Sequence, residues 1–146
     1  MTSMHMISKV FVDTSAFVSL WDDKDSNRIK AINLQVKLEK LGVEIYTSSD
    51  VIGETLTVIS KKIGKKQAIE FADRIFKSGV CMIFIDRFLH LETIEFFKKI
   101  KSKNISYTDC SSIIAMKNNK IQTAFSFDEH FKNMGVKLLG DELGIN

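Results

Sequence analysis

The sequence predicts an α/β fold built on a mainly parallel five-stranded sheet, and three observations carry that prediction. Short β-branched apolar runs alternate with longer stretches of helical period, which is the pattern of successive βα units. Glycines and short polar residues fall at the joints, where helices need caps and stops. The 146 residues are 45% apolar and 27% charged, ordinary for a globular chain and the size of one domain, residues 1–146.

Taken in order, strands are expected at Lys9–Asp13, Val43–Thr47, Val80–Ile85, Gln122–Phe125 and Val136–Leu139, the last being the shortest signal. Between the first two, Asp25 or Ser26 can cap a helix that runs to Gly42, a residue suited to a left-handed stop. That helix carries two apolar stripes at about 100° per residue. Ile29, Ile32 and Val36 form one, and Leu34, Leu38 and Leu41 form the other, so one stripe can face the sheet while the other meets a helix or a second chain. Ser49 or Asp50 opens the next helix and Gly64 ends it; a further helix places Ala68, Phe71, Ala72, Ile75 and Phe76 at three- and four-residue spacings before Gly79. After the third strand, Leu91, Ile94 and Phe97 mark an amphipathic helix with a lysine-rich end. Thr108 or Asp109 opens the helix that feeds the fourth strand.

Composition removes several function classes. The segment from Met1 to Lys9 has neither a long apolar run nor a cleavage-like small-residue site, and no apolar segment approaches the roughly 18 residues of a membrane span, so a cytoplasmic protein is expected. Cys81 and Cys110 are too few for a disulfide framework and read as reduced and buried, while His5, His90 and His130 show no zinc-ligand spacing. A net charge of +3 is compatible with a polyanionic partner and does not require one. The absence of proline removes helix-breaking signals and adds no functional one.

The chemistry lies in four acids. Asp13 ends the first strand, Asp128 follows the fourth, Asp109 stands at a helix start, and Glu54 lies on a helix between Val51 and Val58, at minus three and plus four on its own face. Singly, each aspartate also reads as a helix cap or a first-turn acid favoured by the macrodipole. Glu54 resists that reading, because an isolated buried glutamate is costly and wants a partner. In an open parallel sheet, ligands bind beyond the carboxyl ends of the strands, and caps placed at random have no reason to gather at that rim. Converging carboxylates repel one another, so such a site calls for a hard divalent cation. Mg²⁺ keeps several waters and takes few direct carboxylates, which makes Asp13 and one other acid the expected ligands, the rest holding waters or a second ion.

With Asp13-Thr14-Ser15 on a strand end, Glu54 on a helix, Thr108-Asp109 at a helix start and the segment Ser126-Phe127-Asp128-Glu129-His130-Phe131, the chain resembles the PIN-domain ribonucleases over almost its whole length. Within that family its size is most similar to the VapC-type toxins of toxin–antitoxin pairs. The resemblance implies a three-layer α/β/α sandwich of strand order 3-2-1-4-5, and Mg²⁺- or Mn²⁺-dependent cleavage of RNA. It further implies Asp13, Glu54, Asp109 and Asp128 as the catalytic, metal-holding cluster, with Thr14, Ser15 and Thr108 in support. It also implies a homodimer and a small antitoxin that covers the acidic site. His130 departs from the pattern, standing where the family often has a further acid before the phenylalanine.

Two lysine clusters stand where RNA contacts are expected: Lys61, Lys62, Lys65 and Lys66 after the Glu54 helix, and Lys98, Lys99, Lys101 and Lys103 before Asp109. The dipole at a helix C-terminus favours the same residues for stability alone. Competing classes fare less well. A phosphoacceptor domain would use Asp13 and Asp86 but would want a paired acid beside Asp13, and an Asp-x-Asp phosphatase fails because residue 15 is serine. A noncatalytic RNA- or protein-binding module on the same fold stands as the second reading, separated from a nuclease by metal-dependent turnover.

Overall fold

The computed structural model describes residues 7–145; Met1–Met6, with His5 and most of the Met1–Lys9 segment, and Asn146 lie outside the described residues. β1 (Lys9–Val12) is central, and its Val10 and Phe11 are both fully buried. Adjacent strand residues point to opposite faces, so helices must cover the sheet on both sides. β2 (Glu44–Ser48), β3 (Cys81–Ile83), β4 (Thr123–Phe125) and β5 (Lys137–Leu138) complete a parallel sheet of order β3-β2-β1-β4-β5. Register pairs Val10 with Ile45 on one side and Phe11 with Ala124 on the other. The expected five strands and their order are all present, four of them shifted or shortened by one or two residues and the third, expected at Val80–Ile85, shortened by three.

The connections are α1 (Thr14–Trp21), α2 (Arg28–Leu41), α3 (Ser49–Lys62), α4 (Lys65–Lys77), α5 (Arg87–Lys99), α6 (Tyr107–Asn118) and a terminal turn, α7 (Leu139–Glu142), with a 3-10 helix at Glu129–Met134. The 3-10 helix and α7 are too short to leave a period in the sequence. α2 buries Ala31, Leu34 and Leu38 and stops at Gly42, whose φ of 65° is the left-handed geometry expected there. Its other stripe, Ile29, Ile32 and Val36, is exposed, and so is Leu41 in the last turn. α4 packs through Ala68 and Phe71, with the Phe71 ring 5.3 Å from Phe17 and 5.4 Å from Trp21.

Several local expectations are corrected. α2 is capped by neither Asp25 nor Ser26: the helix begins one turn position later, after Asn27, because Asp25 Oδ1 is occupied by the Asn27 N–H at 2.8 Å and the Ser19 hydroxyl at 2.9 Å. Phe76 is 93% exposed, since it lies about 100° beyond Ile75 on the α4 helical wheel. On α5 the fully buried position is Thr93, while Leu91 and Phe97 face outward. Cys110 is buried but Cys81 is exposed, as β3 is an edge strand with little packed against it. Asp86 simply caps α5, its Oδ1 accepting from the Leu89 N–H at 3.0 Å. Among the described residues, no helix is long and apolar enough to cross a membrane.

Candidate active site

A cleft of about 400 Å³ opens at the carboxyl ends of β1 and β4, and Asp13, Glu54, Asp109 and Asp128 all line it. The four acids come from four different segments, and the fold brings every one of them together.

Asp13 follows β1 directly, its N–H extending the ladder to Phe125 O at 3.0 Å. It occupies the N-cap position of α1 without making a side-chain cap. Instead its Oδ2 accepts from Ser126 Oγ at 2.9 Å and from Ser15 Oγ at 3.2 Å. Ser15 Oγ also accepts the Phe127 N–H at 2.9 Å, and Ser126 Oγ accepts the Asp128 N–H at 3.0 Å. Two hydroxyls thereby lock the β4 exit onto the β1 exit through Asp13.

Asp109 sits in the first turn of α6, and the helix start corrects the expectation of Thr108 or Asp109 as its cap. Ser106 is the N-cap, taking the Asp109 N–H on its Oγ at 3.0 Å while its own N–H donates to Asp109 Oδ2 at 3.0 Å. This reciprocal pair is a capping box, satisfying two otherwise unpaired backbone donors. Asp128 caps the 3-10 helix, its Oδ1 accepting the His130 N–H at 3.0 Å. Capping and site formation are therefore the same geometry for these two residues. In all three aspartates one carboxylate oxygen is held by protein donors and the other accepts no aligned hydrogen bond. Glu54 enters from α3 and is half-buried, less enclosed than the pattern around it predicts.

The electrostatics are those of crowded acids. The Asp13 carboxyl is pushed up to about 6, first by burial and further by the charges of Asp109 and Glu54, against the lowering pull of Ser126 and of the nearby Thr14 N–H. Asp109 is also raised, by burial foremost and by Asp128, while its Ser106 hydrogen bonds and His130 oppose the shift. Ionised forms of both are disfavoured in the absence of positive charge.

The supporting residues divide. Ser15 holds Asp13, and Thr14 lines the cleft with a buried Oγ1 that has no hydrogen-bond partner. Thr108 does not line the cleft; Ser106 does. Lys62 also lines it, its Nζ 3.9 Å from Asp22 Oδ2. Lys61 and Lys65 border a separate groove between α3 and α4, while Lys66, Lys101 and Lys103 are exposed and do not line the cleft. Lys98 is paired with Glu95 at 3.0 Å, and Lys99 is exposed at the end of α5. Sequence reasoning missed Ser126, Ser106, Ser19, Asp25 and Asn27 as lining or bracing residues. Ser106 was discoverable as the hydroxyl three places before Asp109, the spacing of a capping box. Ser126 is set by a chain crossing that no local spacing records, whereas Ser19, Asp25 and Asn27 are joined to one another by short-range hydrogen bonds between α1 and α2.

An all-oxygen set of carboxylates, with an orphaned threonine hydroxyl beside it, is the donor chemistry that Mg²⁺ and Mn²⁺ take. Ligand atoms of Asp109 and Asp128 lie within 4.8 Å of one another, close enough to share such an ion, with Asp13 and Glu54 lining the same cleft.

Comparison with known proteins gives concordant matches. The family model described as the PIN domain matches residues 10–137. The 23S rRNA-specific endonuclease VapC20 of Mycobacterium tuberculosis is 26% identical over 126 residues, covering 86% of this chain and 94% of that protein. The crystal structure of that VapC20, titled a sarcin-ricin loop cleaving toxin, superposes with a TM-score of 0.80 at 25% identity, over 87% of this chain and 95% of its own. VapBC2 from Rickettsia felis, bound to a DNA fragment from its promoter, matches with a TM-score of 0.66 at 20% identity over 89% and 96% of the two chains. FitAcB from Neisseria gonorrhoeae matches at 0.59 and 16% identity over 88% and 95%.

Proposed function

The chain belongs to the PIN-domain family, and from that premise we propose that it is a divalent-metal-dependent endoribonuclease, the toxin of a toxin–antitoxin pair. The observation that carries the reading is the meeting of Asp13, Glu54, Asp109 and Asp128 in one cleft at the carboxyl rim of a parallel sheet. Cleavage of ribosomal RNA by a relative similar along 86% of this chain supports RNA as the substrate class.

Asp13, Asp109, Asp128 and Glu54 would hold Mg²⁺ or Mn²⁺, which when bound supplies an acidified water and neutralises phosphate charge. Ser15 and Ser126 fix the Asp13 carboxylate so that it does not rotate into a capping role. The Ser106 capping box fixes Asp109 in the same way. Thr14 offers a hydroxyl without a protein partner for orienting water. Lys62 is the one lysine or arginine lining the acidic cleft among the described residues, and it supplies the positive charge that a phosphodiester backbone needs beside four acids. No protein nucleophile is needed.

The chain works in the cytoplasm as a single nuclease domain, paired with a second copy and held inactive by a small antitoxin. The exposed stripe of Ile29, Ile32 and Val36 is apolar surface in excess of what the sheet consumes, which supports pairing. Incubating the purified protein with single-stranded RNA and Mn²⁺, beside Asp13→Asn and an EDTA control, tests the activity. Cleavage by the unaltered protein alone is the expected result; equal RNA patterns in all three reactions would reject it.

A further inference from the structure

We propose that His130 contributes an imidazole nitrogen to a cation seat shared with Asp109 and Asp128, making this seat selective for Mn²⁺ over Mg²⁺. The inference rests on the metal-dependent reading above and deepens it by assigning a ligand and a preference.

Ligand atoms of Asp109, Asp128 and His130 all lie within 4.8 Å of one another, and they form the sole such cluster of His, Cys, Asp or Glu among the described residues. His130 Nδ1 is 2.8 Å from Asp128 Oδ1, yet this buried nitrogen has no aligned hydrogen-bond partner. Close approach without alignment is poor hydrogen bonding. It is good ligand spacing: two donors in adjacent positions around an octahedral ion at about 2.1 Å stand about 3 Å apart. The backbone already fixes the arrangement, because the His130 N–H donates to the same Asp128 oxygen at 3.0 Å and anchors the ring beside it. A second, independent observation points to a ligand in the cleft. Thr14 is 8% exposed, and its Oγ1 is buried without a partner in the wall that also carries Asp109 and Asp128.

Donor chemistry then sets the preference. Mg²⁺ takes oxygen ligands and retains its waters, so a neutral ring nitrogen adds little to its binding. Divalent transition ions accept mixed nitrogen and oxygen sets, and Mn²⁺ is the hardest of them, so it also keeps the carboxylates. Four acids alone would bind both ions on nearly equal terms; the nitrogen separates them.

The test uses the full-length protein without RNA. Electron spin echo spectra of the Mn²⁺ complex should show ¹⁴N modulation from a directly bound imidazole, a readout that needs no variant. Calorimetric titration with MnCl₂ and with MgCl₂ should show tighter Mn²⁺ binding by about tenfold, which is about 1.4 kcal/mol. His130→Asn should abolish the ¹⁴N signal and most of that preference, lowering Mn²⁺ affinity while Mg²⁺ affinity stays within about twofold; His130→Gln serves if the asparagine variant does not fold. Mn²⁺ bound with no ¹⁴N coupling, or equal loss of both ions on substitution, would overturn the proposal. Because no RNA is present, the outcome is independent of whether the protein cleaves RNA: a protein that binds Mn²⁺ through His130 but leaves RNA intact would refute the nuclease reading alone.

Discussion

Ser126 Oγ lies 2.9 Å from Asp13 Oδ2 across 113 positions of sequence, joining the exits of two neighbouring parallel strands. The hydroxyl is the largest influence opposing the upward push on the Asp13 carboxyl. Ser126→Ala should therefore raise the Asp13 pKa above about 6 and cost about 2 kcal/mol of stability at pH 7.5, the scale of a hydrogen bond to a charged group. Carboxyl-carbon NMR titration and urea unfolding measure the two effects; an unchanged Asp13 titration would show that Ser126 does not hold it.

The metal-free protein should lose stability as pH rises. Asp13 is raised from 3.8 to about 6 in the folded chain, so the folded state holds this proton more tightly than the unfolded one. Its contribution is complete below pH 3.8 and is lost as pH rises through about 6, a difference of about 3 kcal/mol at about 1.4 kcal/mol per unit. Asp13→Asn removes that dependence. Denaturation in EDTA between pH 4 and 7.5 should show a steeper decline for the unaltered protein than for the variant, and parallel profiles would contradict the assignment.

Metal should reverse that instability. Addition of Mg²⁺ or Mn²⁺ at pH 7.5 should raise the melting temperature of the unaltered protein, because an ion that binds only the folded state stabilises it, and should raise that of Asp13→Asn by less. Asp109→Asn and Glu54→Gln should each reduce RNA cleavage by more than the roughly 10- to 100-fold that loss of a residue bracing a metal ligand costs. Full cleavage in EDTA would exclude the mechanism.

Lys62 and Lys101 should behave differently despite belonging to similar lysine clusters. Lys62 lines the acidic cleft, whereas Lys101 lies in the exposed segment between α5 and α6. Lys62→Ala should raise KM and flatten the logarithmic salt dependence of RNA affinity by about 0.7, the share of one phosphate contact on a single strand. Lys101→Ala should change neither. Equal effects of the two substitutions would mean a diffuse basic surface instead of a specific contact.

The exposed α2 stripe should be a contact between copies. Light scattering should give a dimer, and Ile32→Glu together with Val36→Glu should shift it to a monomer with an unchanged circular dichroism spectrum. A monomeric unaltered protein would remove the role assigned to that face.

What the sequence determined by itself was the fold class, the strand count and the four acids. Parallel βα units leave uninterrupted apolar runs such as Val10 to Val12, and glycine at 42 marks a left-handed stop wherever it falls, so these signals are local. The acids were legible for the same reason: Asp13, Asp109 and Asp128 each follow a strand or open a helix, and such joints of a parallel sheet share one rim. Tertiary structure alone decided how each acid is held. Ser126 and Asp13 meet because β4 lies beside β1, an adjacency that sequence order does not contain. Burial was likewise undetermined locally: Cys81, Phe76 and Leu91 have core chemistry but face outward, because an edge strand and single-sided helices leave them nothing to pack against. Choosing Lys62 from eight candidate lysines, and bringing Asp109 to Asp128 and His130, also needed the folded chain, since distance in space is fixed by packing and not by spacing along the polypeptide.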